Sequence, residues 1–378
     1  MLFHGQMLWA KQLEVASGPV DRAFVAFCRG GWCGVDLFFV LSGFLITGIL
    51  LDARPKPGAG ETRRYFASFY ARRTLRIFPL HYALLALFFV VVPMLPHAGP
   101  GAVAREIGEY AQLAPEQWWY WLYLGNVRFA LHGFAGHGIP DVLWSLAIEE
   151  QFYLAWPVVV LLLPRRGLVG ACVGVILTSV AFRLALLAWG AGAVPVYVLT
   201  PGRLDGLAIG ALVAALARGP AGTARLGRTA WFMATTGVLT LAWIVADHGT
   251  LDEYAPDMQR LGYTALALLG GGAVAAVVAS PGSAMAKVAC IRPLTTLGKY
   301  AYAMYLIHLT VQAAMRATLF RSGSLPTILG SRIPALLAFD AASIAVSLLA
   351  AWLSWNLLER RFLQLKERFP MPSGAGGR

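Results

Sequence analysis

The sequence predicts an all-α fold: a polytopic transmembrane helical bundle of about nine spans with no soluble domain. Three observations carry this. Hydrophobic residues make up 58% of the 378 positions and charged residues only 13%, about half the usual quarter for a soluble domain. Mean hydropathy is +0.63. Long uncharged runs recur as far as the C-terminal region, where an Ala- and Gly-rich soluble enzyme would show amphipathic helices with charged faces. Disorder, collagen-like repeats and a small disulfide scaffold are excluded by the same composition.

Nine runs are apolar enough to span, near 34–52, 77–95, 142–163, 167–189, 203–218, 229–246, 261–279, 294–317 and 333–358. A bilayer core needs about 20 helical residues, with about 17 tolerated. The run near 203–218 is the shortest. A further stretch from Trp118 to Leu131 is shorter still and carries Asn126 and Arg128. It reads as interfacial or re-entrant, and Trp118, Trp119, Tyr120, Trp121 and Tyr123 suit the headgroup level.

Loop charge orients the bundle. The formal net charge of +12 does not point to nucleic acid here, because the basic residues cluster between apolar runs. The 53–76 connection holds Arg54, Lys56, Arg63, Arg64, Arg72, Arg73 and Arg76. The 96–117 connection holds Arg105 against Glu106, Glu109 and Glu116, and the 247–260 loop is acidic. These sides alternate if 118–131 does not cross, which places the C-terminus in the cytoplasm and residues 1–31 outside. No complete helix precedes residue 31 and no signal peptide is visible, so the chain is expected to lack most of a leading helix. The domain expectation is a truncated transmembrane unit over 1–365 and a cytoplasmic tail over 366–378.

Ionisable groups inside apolar spans cost a few kcal/mol each, so each needs a reason. The strongest case is the run from Trp144 to Tyr153, which places Glu149 and Glu150 side by side in a span. Ser145, Glu149 and Tyr153 share one helix face, and Glu150 points about 100° away. The bland alternative puts both acids at the water boundary. Asp36 and Gly34 open another span, and Ser42 with Gly43 is small enough to let a neighbouring backbone approach. Arg72, Arg73 and Arg76 lie at helical spacing at the mouth of a span, suited either to phosphate or to topology alone. Arg203 and Asp205 open a run with Gly202, Gly206 and Gly210 every fourth residue. Two positions apart, the two charges cannot pair along a helix, so each needs another partner. His308 and His81 are lone histidines in spans, more often core than catalyst. No His or Cys pair has zinc spacing, so no metal is expected. Cys28 and Cys33 are close enough in sequence for a short disulfide in an oxidising compartment, and Cys172 and Cys290 read as inert.

Taken together, these segments resemble the membrane acyltransferase-3 family. The matching stretches are Gly34–Leu45, Arg72–Pro79, Ser145–Leu154, Arg203–Gly210, Gly298–His308 and the segment around Leu358–Phe362. They follow in family order over almost the whole chain. The resemblance implies ten core spans with both ends cytoplasmic, of which nine are counted. It implies an Arg on the first span and, about three helical turns on, a His near its outer end. His4 sits where that His belongs, and the matching Arg would precede Met1, a departure that leaves a misassigned start or an inactive truncated member open. The soluble hydrolase-like domain of many family members is not expected here.

What the resemblance implies is O-acyl transfer in a bacterial inner membrane. The donor would be an acyl-CoA, acetyl-CoA first, acting as co-substrate with no bound cofactor. The acceptor would be a hydroxyl of a carbohydrate, a glycolipid or another cell-envelope or secondary-metabolite compound. A hydroxyl needs a general base, and His4 is the implied one. Glu149 or Glu150 would orient it or take the proton, with Glu149 favoured. Arg72, Arg73 and Arg76 would hold the CoA phosphates. Asp36, Ser42, Ser145, Tyr153, Arg203, Asp205 and His308 are the expected substrate-binding residues. The rivals are a transporter, which should not consume acyl-CoA, and an inactive membrane protein.

Overall fold

The computed structural model describes residues 1–9, 13, 18–55, 61–94, 112–134, 139–219, 222–249, 251–319 and 324–372. Lys56, Arg105, Glu106 and Glu109 lie outside the described residues. Among those described there is no β-strand, only helices and their connections. The expected all-α bundle is what forms.

The main helices are α1 (Leu2–Leu8), α2 (Pro19–Arg29), α3 (Gly34–Asp52), α4 (Thr62–Ala86), α5 (Gly125–His132), α6 (Leu143–Leu162), α7 (Arg165–Ala188), α8 (Leu204–Ala217), α9 (Gly222–His248), α10 (Tyr263–Ala279), α11 (Arg292–Leu319) and α12 (Ile333–Ser354). Among the described residues, seven helical stretches are long and apolar enough to cross a membrane, including Asp21–Asp52, Thr62–Met94 and Pro140–Leu162. All nine expected runs are helical, but two do not meet that standard. α8 has 14 residues, about 21 Å against a core of about 30 Å. α11 has 28 residues, and its Lys299, His308, Gln312 and tyrosines dilute its apolar character.

α8 sits at the centre of the bundle. Leu207, Ala208, Ile209, Ala211, Val213, Ala214 and Ala215 are all buried, so it presents no face to lipid, and its polar first turn is enclosed by protein. Glycines let it lie directly on α3. A Cβ at Gly43 would overlap the Leu207 carbonyl, and a Cβ at Gly210 would overlap the Val40 carbonyl. The contact is reciprocal, backbone on backbone, as the small-residue spacing predicts. α9 and α10 pack through Gly237 and Gly272 in the same way.

The stretch from Trp118 to His132 forms two short helices, Trp118–Trp121 and Gly125–His132, joined by Tyr123 at φ 54°. Neither is long enough to cross. Asn126 is buried and donates to Thr200 Oγ1 at 2.8 Å, while Gln151 donates to Asn126 Oδ1 at 3.0 Å. This pair of short helices is thereby tied to α6. The disulfide left open by the sequence is not formed: Cys28 and Cys33 are both free thiols.

Candidate functional site

A cavity of about 490 Å³ lies between α1, α3, α6 and α11, walled by His4, Trp144, Ser145, Tyr302, Tyr305 and His308 among others. Its walls are mainly apolar and aromatic, with a few polar groups converging, as ligand sites tend to be. Ser145 Oγ lies 2.5 Å from the Tyr305 hydroxyl, which itself donates to the Val142 carbonyl at 3.0 Å.

The two histidines form a pair. His308 Nε2 is 2.9 Å from His4 Nδ1. His308 Nδ1 lies 2.8 Å from the Tyr305 carbonyl and 3.1 Å from the Met304 carbonyl. Carbonyls only accept, so His308 carries its proton on Nδ1 and offers a lone pair at Nε2. His4 must then donate from Nδ1, which leaves His4 Nε2 unprotonated. The network thus assigns both tautomers. Gly5, the next residue, lies against Asp340 of α12 so closely that a Cβ there would overlap the carboxylate. Asp340 is buried, and neither oxygen has a hydrogen-bond partner among the described residues.

Below Ser145, the same face of α6 carries Glu149 and then Tyr153, about 6 and 12 Å further along the axis. Glu149 is 2% exposed. The Ser42 and Tyr153 hydroxyls hydrogen-bond to each other and both address the Glu149 carboxylate. Glu149 Oε1 and Glu150 Oε1 are buried with no hydrogen-bond partner among the described residues. Arg73 of α4 is the cation that acts electrostatically on both acids, and its guanidinium lies 5.8 Å from the Tyr153 ring. Among the described residues His4 makes its side-chain hydrogen bond with His308 and with neither glutamate.

Arg73 also borders a second pocket, of about 340 Å³, together with Arg72, Lys366, Asp52 and Phe69. Arg76 is not on its wall. It sits 4.0 Å from Glu359 and 5.9 Å from the Trp355 ring. A polar column, basic pocket to Arg73 to Tyr153 and Glu149 to Ser145 to the histidines, therefore runs through the bundle.

The remaining expected residues lie behind this column. Arg203 donates to Asp36 Oδ1 at 2.9 Å, and its guanidinium is 4.0 Å from the Tyr263 ring centre and 5.2 Å from that of Tyr197. Asp205 accepts from Arg183 at 2.9 Å and from Thr264 at 2.5 Å. Asp36, Arg203 and Asp205 are not on the cavity wall, but Tyr197 and Trp144 are, so the Arg203 pair backs the aromatic lining. Sequence reasoning singled out neither Arg183 nor Asp340, although each is an ionisable group in an apolar run, the signal that had identified Glu149. Tyr302, Tyr305 and Lys366 gave no comparable signal.

Asp247, His248 and Asp257 gather at the end of α9 with ligand atoms within 4.8 Å of one another. His248 donates to Asp257 at 2.6 Å and Arg260 donates to it at 2.8 Å. These bonds, from His248 first and then Arg260, hold the Asp257 carboxyl below its ordinary range. The carboxylate is already neutralised by neighbours, so this cluster makes a poor metal site.

Comparison with known proteins finds one family and a set of relatives. The family described as "Acyltransferase domain" matches residues 1–354. A peptidoglycan O-acetyltransferase OatA of Listeria monocytogenes is 29% identical over 296 residues, covering 75% of this chain and 45% of that protein. A putative peptidoglycan O-acetyltransferase YrhL of Bacillus subtilis is 30% identical over 303 residues, with the same coverage. An O-acetyltransferase OatA of Staphylococcus aureus is 28% identical over 294 residues, covering 74% of this chain and 45% of that protein. The chain thus spans somewhat under half the length of these relatives. No solved structure matches it significantly.

Proposed function

We propose that this chain, which belongs to the acyltransferase family matched over residues 1–354, transfers an acyl group, acetyl first, from acyl-CoA to a hydroxyl of a cell-envelope glycan. Peptidoglycan is the leading acceptor class, because two of the relatives are named for it. The setting is a bacterial cytoplasmic membrane, with the basic pocket facing the cytoplasm and the histidine cavity facing out.

The observation that carries this reading is the His4–His308 hydrogen bond on the wall of the large cavity. It leaves His4 Nε2 as a lone pair fixed in position, which is what a general base requires. In the proposed step His4 Nε2 takes the proton of the acceptor hydroxyl. The hydroxyl oxygen forms a bond to the thioester carbonyl carbon, the carbon–sulfur bond breaks, and the sulfur leaves as a thiolate. The proton on His4 then passes to that thiolate, giving an O-acyl ester and free CoA. His308 holds the proton of His4 Nδ1 throughout and so fixes the tautomer. The Arg73, Tyr153 and Glu149 column is the route by which the thioester arm of CoA approaches from the basic pocket.

Protein reconstituted in vesicles, given acetyl-CoA and a muropeptide acceptor, tests the reaction. One free thiol should appear for each ester formed. Movement of acceptor or acetyl groups across the vesicle with no thiol release would make the chain a transporter and overturn the proposal.

A further inference from the structure

The segment after α12 folds back over α4 and forms one wall of the basic pocket. Ser68 Oγ donates to the Pro370 carbonyl at 3.0 Å. Arg72 Nη1 lies 3.2 Å from the Lys366 carbonyl and 3.4 Å from the Phe369 carbonyl. Pro372 is buried against the pocket. This is a built surface, held by side-chain to backbone bonds across almost three hundred residues of sequence.

The cations at this pocket have different commitments. Arg72 spends its guanidinium on the carbonyls of the returning segment. Arg76 is turned away toward Glu359. The one carboxylate on the wall, Asp52, is taken by Arg218 in a two-point pair at 2.6 and 2.7 Å. Arg73 and Lys366 have no ion-pair partner within bonding distance among the described residues, and both border the pocket. Phe69 and Met371 add apolar wall beside them. Two cations without an ion-pair partner in bonding distance, next to an apolar slot, suit a phosphorylated nucleotide: charge for the phosphates, apolar surface for the base.

We propose that Lys366 is a phosphate ligand of the acyl donor, paired with Arg73, and that the Leu365–Pro372 segment is part of the donor site, held there by Arg72. This rests on the acyl-CoA reading above for the identity of the nucleotide. It reassigns the three arginines of the sequence: Arg73 binds, Arg72 positions the wall, and Arg76 serves the fold.

The test is equilibrium binding of radiolabelled desulfo-CoA, which cannot turn over, to full-length protein in phosphatidylcholine nanodiscs. Lys366→Ala should weaken binding by about tenfold, the loss of one charge-assisted phosphate contact. Lys366→Arg should stay within about threefold of wild type by the same reasoning. Arg72→Ala should weaken binding and also expose the Leu365–Pro372 segment to protease, whereas Lys366→Ala should weaken binding with the segment still protected. Wild-type binding by Lys366→Ala alongside weakened binding by Arg73→Ala would overturn the Lys366 assignment and leave the acyl-CoA reading standing. Absence of desulfo-CoA binding by the wild type would sink the acyl-CoA reading itself. Retention of phosphatidylglycerol that depends on Lys366, with no nucleotide binding, would make a lipid headgroup the occupant and overturn the proposal.

Discussion

Arg203 and Asp36 are joined at 2.9 Å across the α3–α8 contact, with both side chains almost completely enclosed. The guanidinium is ringed by Tyr263, Tyr197, Phe39 and Trp144. Two of these rings line the histidine cavity. The pair therefore fixes the first turn of the central helix and, through it, the shape of the cavity wall.

Breaking one side of that pair should be costly. Arg203→Leu leaves the Asp36 carboxylate buried and unpaired, for an expected loss of about 3–5 kcal/mol. Asp36→Leu added to it should recover much of the loss, since no buried charge then remains. A double-mutant cycle on thermal unfolding in detergent measures this. Additive losses in the double mutant would show that the two residues do not act as a pair.

The reciprocal glycine contact predicts a sharp contrast between sites. Gly210→Ala places a Cβ against the Val40 carbonyl and should destabilise by about 1–3 kcal/mol through overpacking. Gly174→Ala on α7, where nothing lies within 4 Å of the added Cβ, should be neutral or mildly stabilising. Equal melting temperatures for the two variants would contradict the backbone-on-backbone packing of α3 and α8.

For the paired acids, Glu149→Gln is expected to reduce transfer by about a hundredfold, the scale of losing one preorganised electrostatic group, here along the route of the thioester arm. Glu150→Gln should lose less, because Glu149 is the one enclosed with Ser42 and Tyr153 on the face that leads to the cavity. Rates with acetyl-CoA in vesicles decide it. Near-normal turnover in both variants would remove these acids from the proposed mechanism.

His308 is a positioning residue in this account, so its variants should separate orientation from bulk. His308→Ala should lower kcat by about a hundredfold with KM for acetyl-CoA little changed. His308→Gln keeps an acceptor for the His4 Nδ1 proton and should restore part of the rate. Equal losses in Ala and Gln variants would point to a role in packing alone.

Much of the fold was legible in the sequence because bilayer physics constrains it. Every expected run is helical, and the small residues at Gly43 and Gly210 marked faces that a neighbouring backbone could approach. The acids of α6 and the arginines of α4 stood out because an apolar span makes an ionisable group conspicuous. Pairings were less legible. That Arg203 needed a distant partner followed from its spacing to Asp205, but nothing local could name Asp36, or Arg183 for Asp205, since those contacts depend on helix packing. The His4–His308 bond spans 304 positions and has no sequence signature at all. Lys366 looked like one more basic residue of a tail, and only the fold-back over Ser68 and Arg72 brings it to the pocket.

Everything in the proposed reaction turns on His4 as the base. The most direct measurement is the rate of radiolabelled acetyl transfer from acetyl-CoA to a muropeptide by His4→Gln protein in vesicles, beside its binding of desulfo-CoA. The expected rate is lower by about 10²–10⁴ with nucleotide binding unchanged. A His4→Gln protein that transfers acetyl groups within about threefold of the wild-type rate, far inside the range expected for loss of a general base, would contradict it.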